Sequence, residues 1–350
     1  GEEIGKIEAY KDIPGLLSKS QRVILVNEDD PIVLMPYPVK LFGKKGIEVD
    51  IAFPIVHGTN VEDGALQGYL KTIGIPFVGC DVTASALGMD KYASKVVLKE
   101  NGVPVLDGYC FTTSDYAEID SILDKVEKEI GYPAIVKPVD LGSSVGISVA
   151  RNRSELTSSI DDAFLYARKI IIEHAITKLR EINCAVLGDE NEAVASECEE
   201  PLHTKDILSY EDKYVSNAKG SGSKGMASVS RKIPAELSPE KRKEVQELAV
   251  KSFQKLGCNG VARIDFMIDE ENGKLYFNEI NTIPGSLAFY LWEPVGISYP
   301  ELLDRMIRLA LKRVREEESI TFSFDTNILN QNSLGGVKGG KMGKLKAPLQ

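Results

Sequence analysis

Arg263, Asp265, Glu279 and Asn281 lie on two strand-like segments, VARIDFMID and KLYFNEIN, separated by Glu271-Asn272-Gly273. Strand side chains alternate, so Leu275, Phe277, Glu279 and Asn281 are expected on one face and Tyr276, Asn278 and Ile280 on the other. A two-residue Asn-Gly turn would set Asp265 opposite Ile280. A three-residue loop, with Gly273 in the left-handed region, pairs Glu270 with Lys274; Asp265 then faces Glu279 and Arg263 faces Asn281. Like charges set opposite each other repel unless a cation intervenes. Two carboxylates and an amide oxygen on one face suit Mg²⁺, which prefers hard oxygen ligands.

Lys137 ends an apolar strand just before Gly142-Ser143-Ser144-Val145-Gly146. A lysine at that depth requires an anionic partner, and the backbone N–H groups of the turn suit a phosphate. The turn is not a Walker A loop, which needs Gly-Lys-Ser/Thr opening a helix. Lys91 opens a helix, and on its own reads as an ordinary surface lysine. Lys213 and Tyr214 (YEDKYVS) lie in a long polar stretch. His57-Gly58 follows an apolar run, and ligands bind at strand C-terminal ends in open α/β sheets; a capping or core histidine is an equal reading. A phosphate loop, two lysines, a carboxylate pair, a lid and an arginine together equip a protein to handle ATP and stabilise developing negative charge.

The elements that must position these groups alternate between strand and helix signals. VDIAFPIV (49–56) reads as a buried parallel strand. Asp63-Gly64 opens a helix toward Leu70, and Asp90 opens another that ends at Asn101-Gly102. A second unit begins near Leu106, with LDGYCFTT, a helix capped by Ser114, strand AIVKPV (134–139), the turn 140–146 and strand ISVA. A helix near 153–167 then precedes strand KIIIEHAI (169–176). A third unit opens with INCAVLG and VASEC. Residues 202–230 form a polar stretch of a length usual for a lid. Ser238-Pro239 starts an amphipathic helix that Gly257 ends; the hairpin and the helix PELLDRMIRLALKRVREEE follow. The aperiodic Gly- and Lys-rich tail after Phe324 is expected to be disordered. No internal repeat is present.

A chain of 350 residues is too long for one compact core. Its 42 Lys+Arg against 52 Asp+Glu give a net charge of −10, which argues against wrapping nucleic acid. No apolar run approaches the roughly 20 residues that span a bilayer, and GEEIGKIEAY lacks signal-peptide character. Cys80, Cys110, Cys184, Cys198 and Cys258 are odd in number and widely spaced in apolar contexts, so they read as reduced core residues of a cytoplasmic protein. No G-x-G-x-x-G follows a strand, which argues against a Rossmann oxidoreductase.

FPIVHGTNVEDGALQG, SALGMDK, IVKPVDLGSSVGIS, REINCAVLG, YEDKY, GVARIDF and FNEINTIPG occur in the order and spacing of D-alanine–D-alanine ligases of the ATP-grasp superfamily. The resemblance covers roughly residues 48–315. It implies an α/β ATP-grasp fold preceded by a doubly wound pre-ATP-grasp domain that lacks its first βα unit, together with the glutamate that would hold the first substrate's amine. The implied divisions are 1–104 for that domain, 105–182 for the central subdomain, 183–322 for the C-terminal subdomain with lid 202–230, and 323–350 for the tail.

The implied activity is ATP-dependent ligation of two D-alanines through an acyl phosphate, for peptidoglycan. The implied partners are ATP, D-alanine and two Mg²⁺ (or Mn²⁺) in a cytoplasmic homodimer, with no nucleic acid and no membrane. Lys91 and Lys137 resemble the lysines that hold the phosphates, and Lys213 a phosphate-side lysine of the lid. Glu173 and the backbone near Ile176 resemble the adenine contacts, Glu181 the ribose partner, and Asn278 belongs to the same nucleotide set. Asp265, Glu279 and Asn281 resemble the metal ligands. Arg263 and the Gly285 N–H resemble the groups around the tetrahedral intermediate, while Tyr214 closes with Ser143 over the substrate. His57 matches a histidine near the first D-alanine. Where the family often carries Ser-Leu for the acceptor, this chain has Tyr290 and Leu291, so D-serine or D-lactate is the alternative acceptor. A non-catalytic ATP-binding module is the alternative of another class.

Overall fold

The computed structural model describes residues 11–27, 31–39, 46–142, 145–202 and 230–320. Residues 203–229, which hold most of the expected lid 202–230, and those from 321 onward, which include the expected tail 323–350, lie outside them, as do Ser143, Lys213 and Tyr214.

The first sheet is a small antiparallel meander in the order β1 (Val23–Val26), β2 (Val33–Pro36), β3 (Ile47–Glu48). Parallel pairing was the expectation here, with 49–56 as a buried strand. The run instead forms a single parallel bridge, Ala52 to Phe77, closed by Ala52 N–H to Pro76 O at 2.8 Å and Val78 N–H to Ala52 O at 2.9 Å. Pro54 supplies no amide hydrogen, so the ladder cannot run on through Ile55 and Val56, which are exposed. Helices α1 (Ile13–Ser18), α2 (Ala65–Thr72), α3 (Val82–Met89) and α4 (Lys91–Glu100) complete this region. The Asp90 side chain caps α4 by accepting from Tyr92 and Ala93 N–H.

The second sheet has the order β4 (Gly108–Thr112), β7 (Lys169–His174), β5 (Ala134–Pro138), β6 (Ser148–Ala150), all antiparallel. Thr112, rather than Ser114, starts the segment after β4, in a capping box with Asp115. Helices α5 (Ile119–Glu129) and α6 (Arg153–Phe164) cover one face, packing Ile122, Val126, Leu156 and Ile160 onto Val136, Ile170 and Ile172. Alternation then leaves Lys137 and Glu173 on the opposite face.

The third sheet runs β10 (Ser230–Lys232), β9 (Ala193–Leu202), β8 (Leu179–Gly188), β11 (Gly260–Asp269), β12 (Lys274–Asn281). β8 already starts at Leu179, ahead of the expected division at 182/183. Helix α7 (Pro239–Lys255), capped by Ser238, buries Val245, Ala249 and Phe253 against Ile264, Phe266 and Phe277. On the other face Ala185, Leu187 and Val261 pack with Trp292 and helix α8 (Tyr299–Glu318). Farther along β11 the same face turns polar, at Arg263 and Asp265. Helix α3 approaches β12 closely: a Cβ on Gly88 would lie 2.8 Å from Thr282 Cγ2. Among the described residues no helix is long and apolar enough to cross a membrane.

Candidate active site

The hairpin β11–β12 builds the site, by a route that differs from the one expected. Asp269 pairs with Lys274, and Gly273, in the left-handed region at φ 70°, donates to Asp269 O at 2.7 Å. The loop is thus one residue longer than the three-residue form. Phe266 then pairs with Phe277, but the next pairs are Asp265 with Glu279, Ile264 with Ile280 and Arg263 with Asn281. The register shifts between Asp265 and Phe266, so Asn278 is the extra residue of a β-bulge.

The bulge corrects the expected faces. Leu275, Phe277 and Ile280 all join the α7-side core, while Glu279 and Asn281 stand with Asp265 and Arg263 on the opposite side. No strand face has to bury Phe277 and present a carboxylate at once.

The polar face is electrostatically arranged. Arg263 grips Asp265 through Nε to Oδ1 and Nη2 to Oδ2, both 2.7 Å, and Asn281 Nδ2 donates to Asp265 Oδ2 at 3.0 Å. Lys91 Nζ lies 3.2 Å from Glu279 Oε2. Burial lifts the Asp265 carboxyl above its ordinary range; Arg263 opposes this, and nearby Glu279 and Glu181 add to it. Burial also pushes Glu279 up, but Lys91, Lys137 and Arg263 outweigh it and hold that carboxyl below its usual range. Among the described residues no three His, Cys, Asp or Glu side chains cluster as metal ligands. The donor set is two facing carboxylates plus the Asn281 amide, whose charge two chain cations now offset. Such hard oxygen donors fit Mg²⁺ or Mn²⁺.

Glu279, Asp265, Asn183 and Glu199 form one row across β12, β11, β8 and β9. Glu199 accepts from Asn183 Nδ2 at 3.1 Å and from the Tyr290 hydroxyl at 3.3 Å. Arg231 stacks 4.3 Å over the Tyr290 ring, with Nη1 3.5 Å from Glu199 Oε2. The sequence reading missed Asn183, Glu199 and Arg231; a polar Asn183 inside the apolar run INCAVLG was the available signal.

The second sheet contributes the lysines. Lys137 Nζ lies 2.9 Å from Glu173 Oε2 and 3.4 Å from Asn278 Oδ1, so the bulge residue meets this lysine. The other Glu173 oxygen binds Lys95, a residue the sequence reading also missed. Its signal was spacing, since Lys91 and Lys95 are four apart on α4 and share a face. Burial draws the Lys95 ammonium down to about 8 although Glu173 opposes it. Burial raises Glu173, but Lys137 and Lys95 prevail and hold it down at about 2. Helix α4 is tied to the sheet by Lys91 N–H to Val139 O at 3.0 Å and by Lys169 Nζ to Asp90 at 2.7 Å. Lys91 Nζ also donates to Leu141 O at 2.7 Å, at the Gly-rich turn.

Of these groups, Lys91 and Asn281 border a cavity of about 320 Å³ that is also lined by His57, Glu62 and Gly142. His57 Nδ1 is 3.6 Å from Glu62 Oε1. Ile176 is buried just beyond β7, and Glu181 stands on β8 opposite Met267. Gly285 opens a short turn in which Ser286, Leu287 and Ala288 take left-handed φ of 49°, 56° and 50°. Tyr290 reaches the polar row, but Leu291 does not: its side chain is fully buried beside Trp292. The side chain of Leu291, an expected acceptor contact, thus packs in the core.

Comparison with known proteins agrees with this architecture. The families described as D-ala D-ala ligase N-terminus and D-ala D-ala ligase C-terminus match residues 33–80 and 97–308. The D-alanine–D-alanine ligase of Acetivibrio thermocellus is 42% identical over 278 residues, 78% of this chain and 71% of that protein. The ligase of Thermosipho melanesiensis is 36% identical over 329 residues, 94% of this chain and 85% of that protein. Among solved structures, the D-alanine-D-alanine ligase from Coxiella burnetii superposes with TM-score 0.69 at 30% identity, covering 87% of this chain and 79% of its own. The VanG D-Ala:D-Ser ligase from Enterococcus faecalis gives 0.68 at 29%, covering 86% and 84%. With two family matches and relatives of this similarity, the chain belongs to the D-alanine–D-alanine ligase family.

Proposed function

We propose that this chain joins two D-alanines into D-alanyl-D-alanine for peptidoglycan, converting ATP to ADP and phosphate. A bare carboxylate is a poor electrophile. Transfer of the γ-phosphoryl group to a carboxylate oxygen of the first D-alanine gives an acyl phosphate. The amine of the second D-alanine attacks its carbonyl carbon and sheds a proton; the C–O bond breaks and phosphate departs.

Lys91 and Lys137 hold the phosphates, with Lys213 on the lid side. Glu173, the backbone at Ile176, Glu181 and Asn278 take the rest of the nucleotide. Asp265, Glu279 and Asn281 would hold Mg²⁺ or Mn²⁺, which offsets charge on the transferring phosphoryl group when bound. Arg263 and the Gly285 N–H stabilise the tetrahedral oxyanion. His57 attends the first D-alanine, and Ser143 and Tyr214 close over the substrate to exclude water. Nucleotide lies between the β4-β7-β5-β6 sheet and the larger sheet, the ATP-grasp arrangement. We place the division between its halves before Leu179, where β8 begins. The enzyme works in the cytoplasm as a homodimer.

The observation that carries this reading is the facing Asp265–Glu279 pair with Lys91 Nζ 3.2 Å from Glu279. A phosphate-type lysine against a metal-type carboxylate is what phosphoryl transfer requires. D-Serine as acceptor is the second reading, favoured by Tyr290 bound to Glu199 where a small hydroxyl residue is usual. Incubation with ATP, Mg²⁺, labelled D-alanine and competing D-serine decides between them. D-Alanyl-D-alanine as the main product supports the first reading; D-alanyl-D-serine in excess replaces it with the second, and nucleotide binding without phosphate release rejects both.

A further inference from the structure

Lys95 has no part in the chemistry above, yet its ammonium is bound to Glu173 Oε1 while Lys137 holds Oε2 at 2.9 Å. All three side chains are buried. Two lysines against one glutamate is more positive charge than a structural pair requires. A Lys137–Glu173 pair alone would be neutral, with both carboxylate oxygens available to Lys137. A buried carboxylate left without a cation is strongly disfavoured. Lys137 could then not leave for a phosphate without stranding Glu173, and Lys95 removes that obstacle.

We infer that Lys95 is the resident counter-ion of Glu173, a positioning residue that lets Lys137 pass from the carboxylate to a nucleotide phosphate. This rests on the ligase reading, in which Lys137 meets phosphate. Lys137 already reaches toward Asn278 Oδ1 at 3.4 Å, on the strand that carries Glu279. Lys95 stays behind because α4 is fastened to the second sheet at Lys91 N–H and Asp90. The hand-over therefore moves one flexible side chain and leaves the backbone in place.

The test compares the full chain with Lys95→Met, Lys95→Arg, Glu173→Gln and the Lys95→Met/Glu173→Gln double variant. ADP affinity with Mg²⁺ is measured by calorimetry, and KM for ATP and for D-alanine by steady-state kinetics. Lys95→Met is expected to bind ADP about 10²-fold more weakly and raise KM for ATP in step, the scale of a broken buried charge arrangement. KM for D-alanine should stay within about twofold, a split that general loosening of the fold does not give. Lys95→Arg keeps the charge and should bind within about fivefold of the wild type.

The double variant carries the decisive contrast. Without the Glu173 charge Lys137 is not trapped, so removing Lys95 should no longer matter. Glu173→Gln and the double variant should bind ADP equally: whatever Glu173→Gln itself loses as a nucleotide contact, removing Lys95 in that background should cost nothing more. That comparison stands even if Lys95→Met by itself fails to fold. ADP affinity of Lys95→Met equal to the wild type overturns the inference, as does a double variant weaker than Glu173→Gln by more than about fivefold. Either result leaves wild-type nucleotide binding intact. Absence of ADP binding by the wild type would overturn the ligase reading and this inference with it.

Discussion

Glu173→Gln keeps the shape of a fully buried side chain and removes the one charge that stands between two ammonium groups. A glutamate carboxyl titrates near 4.5 when the chain is unfolded and at about 2 here. That difference corresponds to roughly 3 kcal/mol of stability at neutral pH. Breaking a buried ion pair by deleting one partner costs about 3–5 kcal/mol, against the roughly 5–15 kcal/mol by which native chains are stable. The variant should therefore unfold at a clearly lower urea midpoint at about pH 7.

Its pH dependence follows from the directions of the shifts. The Glu173 contribution is complete above about pH 4.5 and is lost as pH falls through the folded value of about 2, so the two proteins converge in acid. On the alkaline side, Lys95 sits at about 8 in the folded wild type against 10.5 unfolded. Without Glu173 its folded value drops further. The folded variant then holds fewer protons than its unfolded chain at lower pH than the wild type does, and its stability rises earlier as pH increases. The gap should narrow as pH rises toward about 8. Urea denaturation of both proteins at about pH 3, 6, 7 and 8 measures this. A gap under about 1 kcal/mol at pH 7, or one that stays constant from pH 6 to pH 8, would refute the reasoning.

Glu279→Gln removes charge from the metal-type face and should lower turnover at saturating Mg²⁺ by at least about 10²-fold; retention of more than half the wild-type rate contradicts the assignment. Deleting Asn278 leaves Phe277 and Ile280 in the core and Asp265 opposite Glu279, while removing a partner of Lys137. Its thermal midpoint should fall little, but KM for ATP should rise about 10-fold, as for a lost hydrogen bond to a charged group. Leu291→Ala should destabilise the fold by about 2–5 kcal/mol and leave KM for D-alanine within about twofold; a selective rise in that KM would return Leu291 to the acceptor site.

Much of the site was legible in pair spacing. Asp265 opposite Glu279 and Arg263 opposite Asn281 follow from counting back from the Asn272-Gly273 turn, and both pairs occur. The count succeeded through two offsetting differences, a longer loop at Asp269 and the bulge at Asn278. The bulge left a mark that strict alternation overlooks: Phe277 and Ile280 are three apart in one strand, and both can be buried only if a residue between them is extra. The run 49–56 misled because apolar continuity does not by itself secure a paired ladder, and Pro54 was the contrary signal. Lys95, Glu199 and Arg231 were missed because each is defined by partners distant in sequence. Glu173 is far from Lys95 along the chain, and only the β5–β7 pairing and the seat of α4 bring them together.

The central claim is that the chain activates a D-alanine carboxylate by phosphorylation before forming the amide. Incubating the protein with Mg²⁺, ATP and D-alanine labelled with ¹⁸O in the carboxylate, then analysing the phosphate by mass spectrometry, tests it directly. Phosphate carrying one ¹⁸O atom for each dipeptide formed, with ADP as the nucleotide product, is the predicted result. Unlabelled phosphate, or AMP and pyrophosphate in place of ADP, would contradict the account.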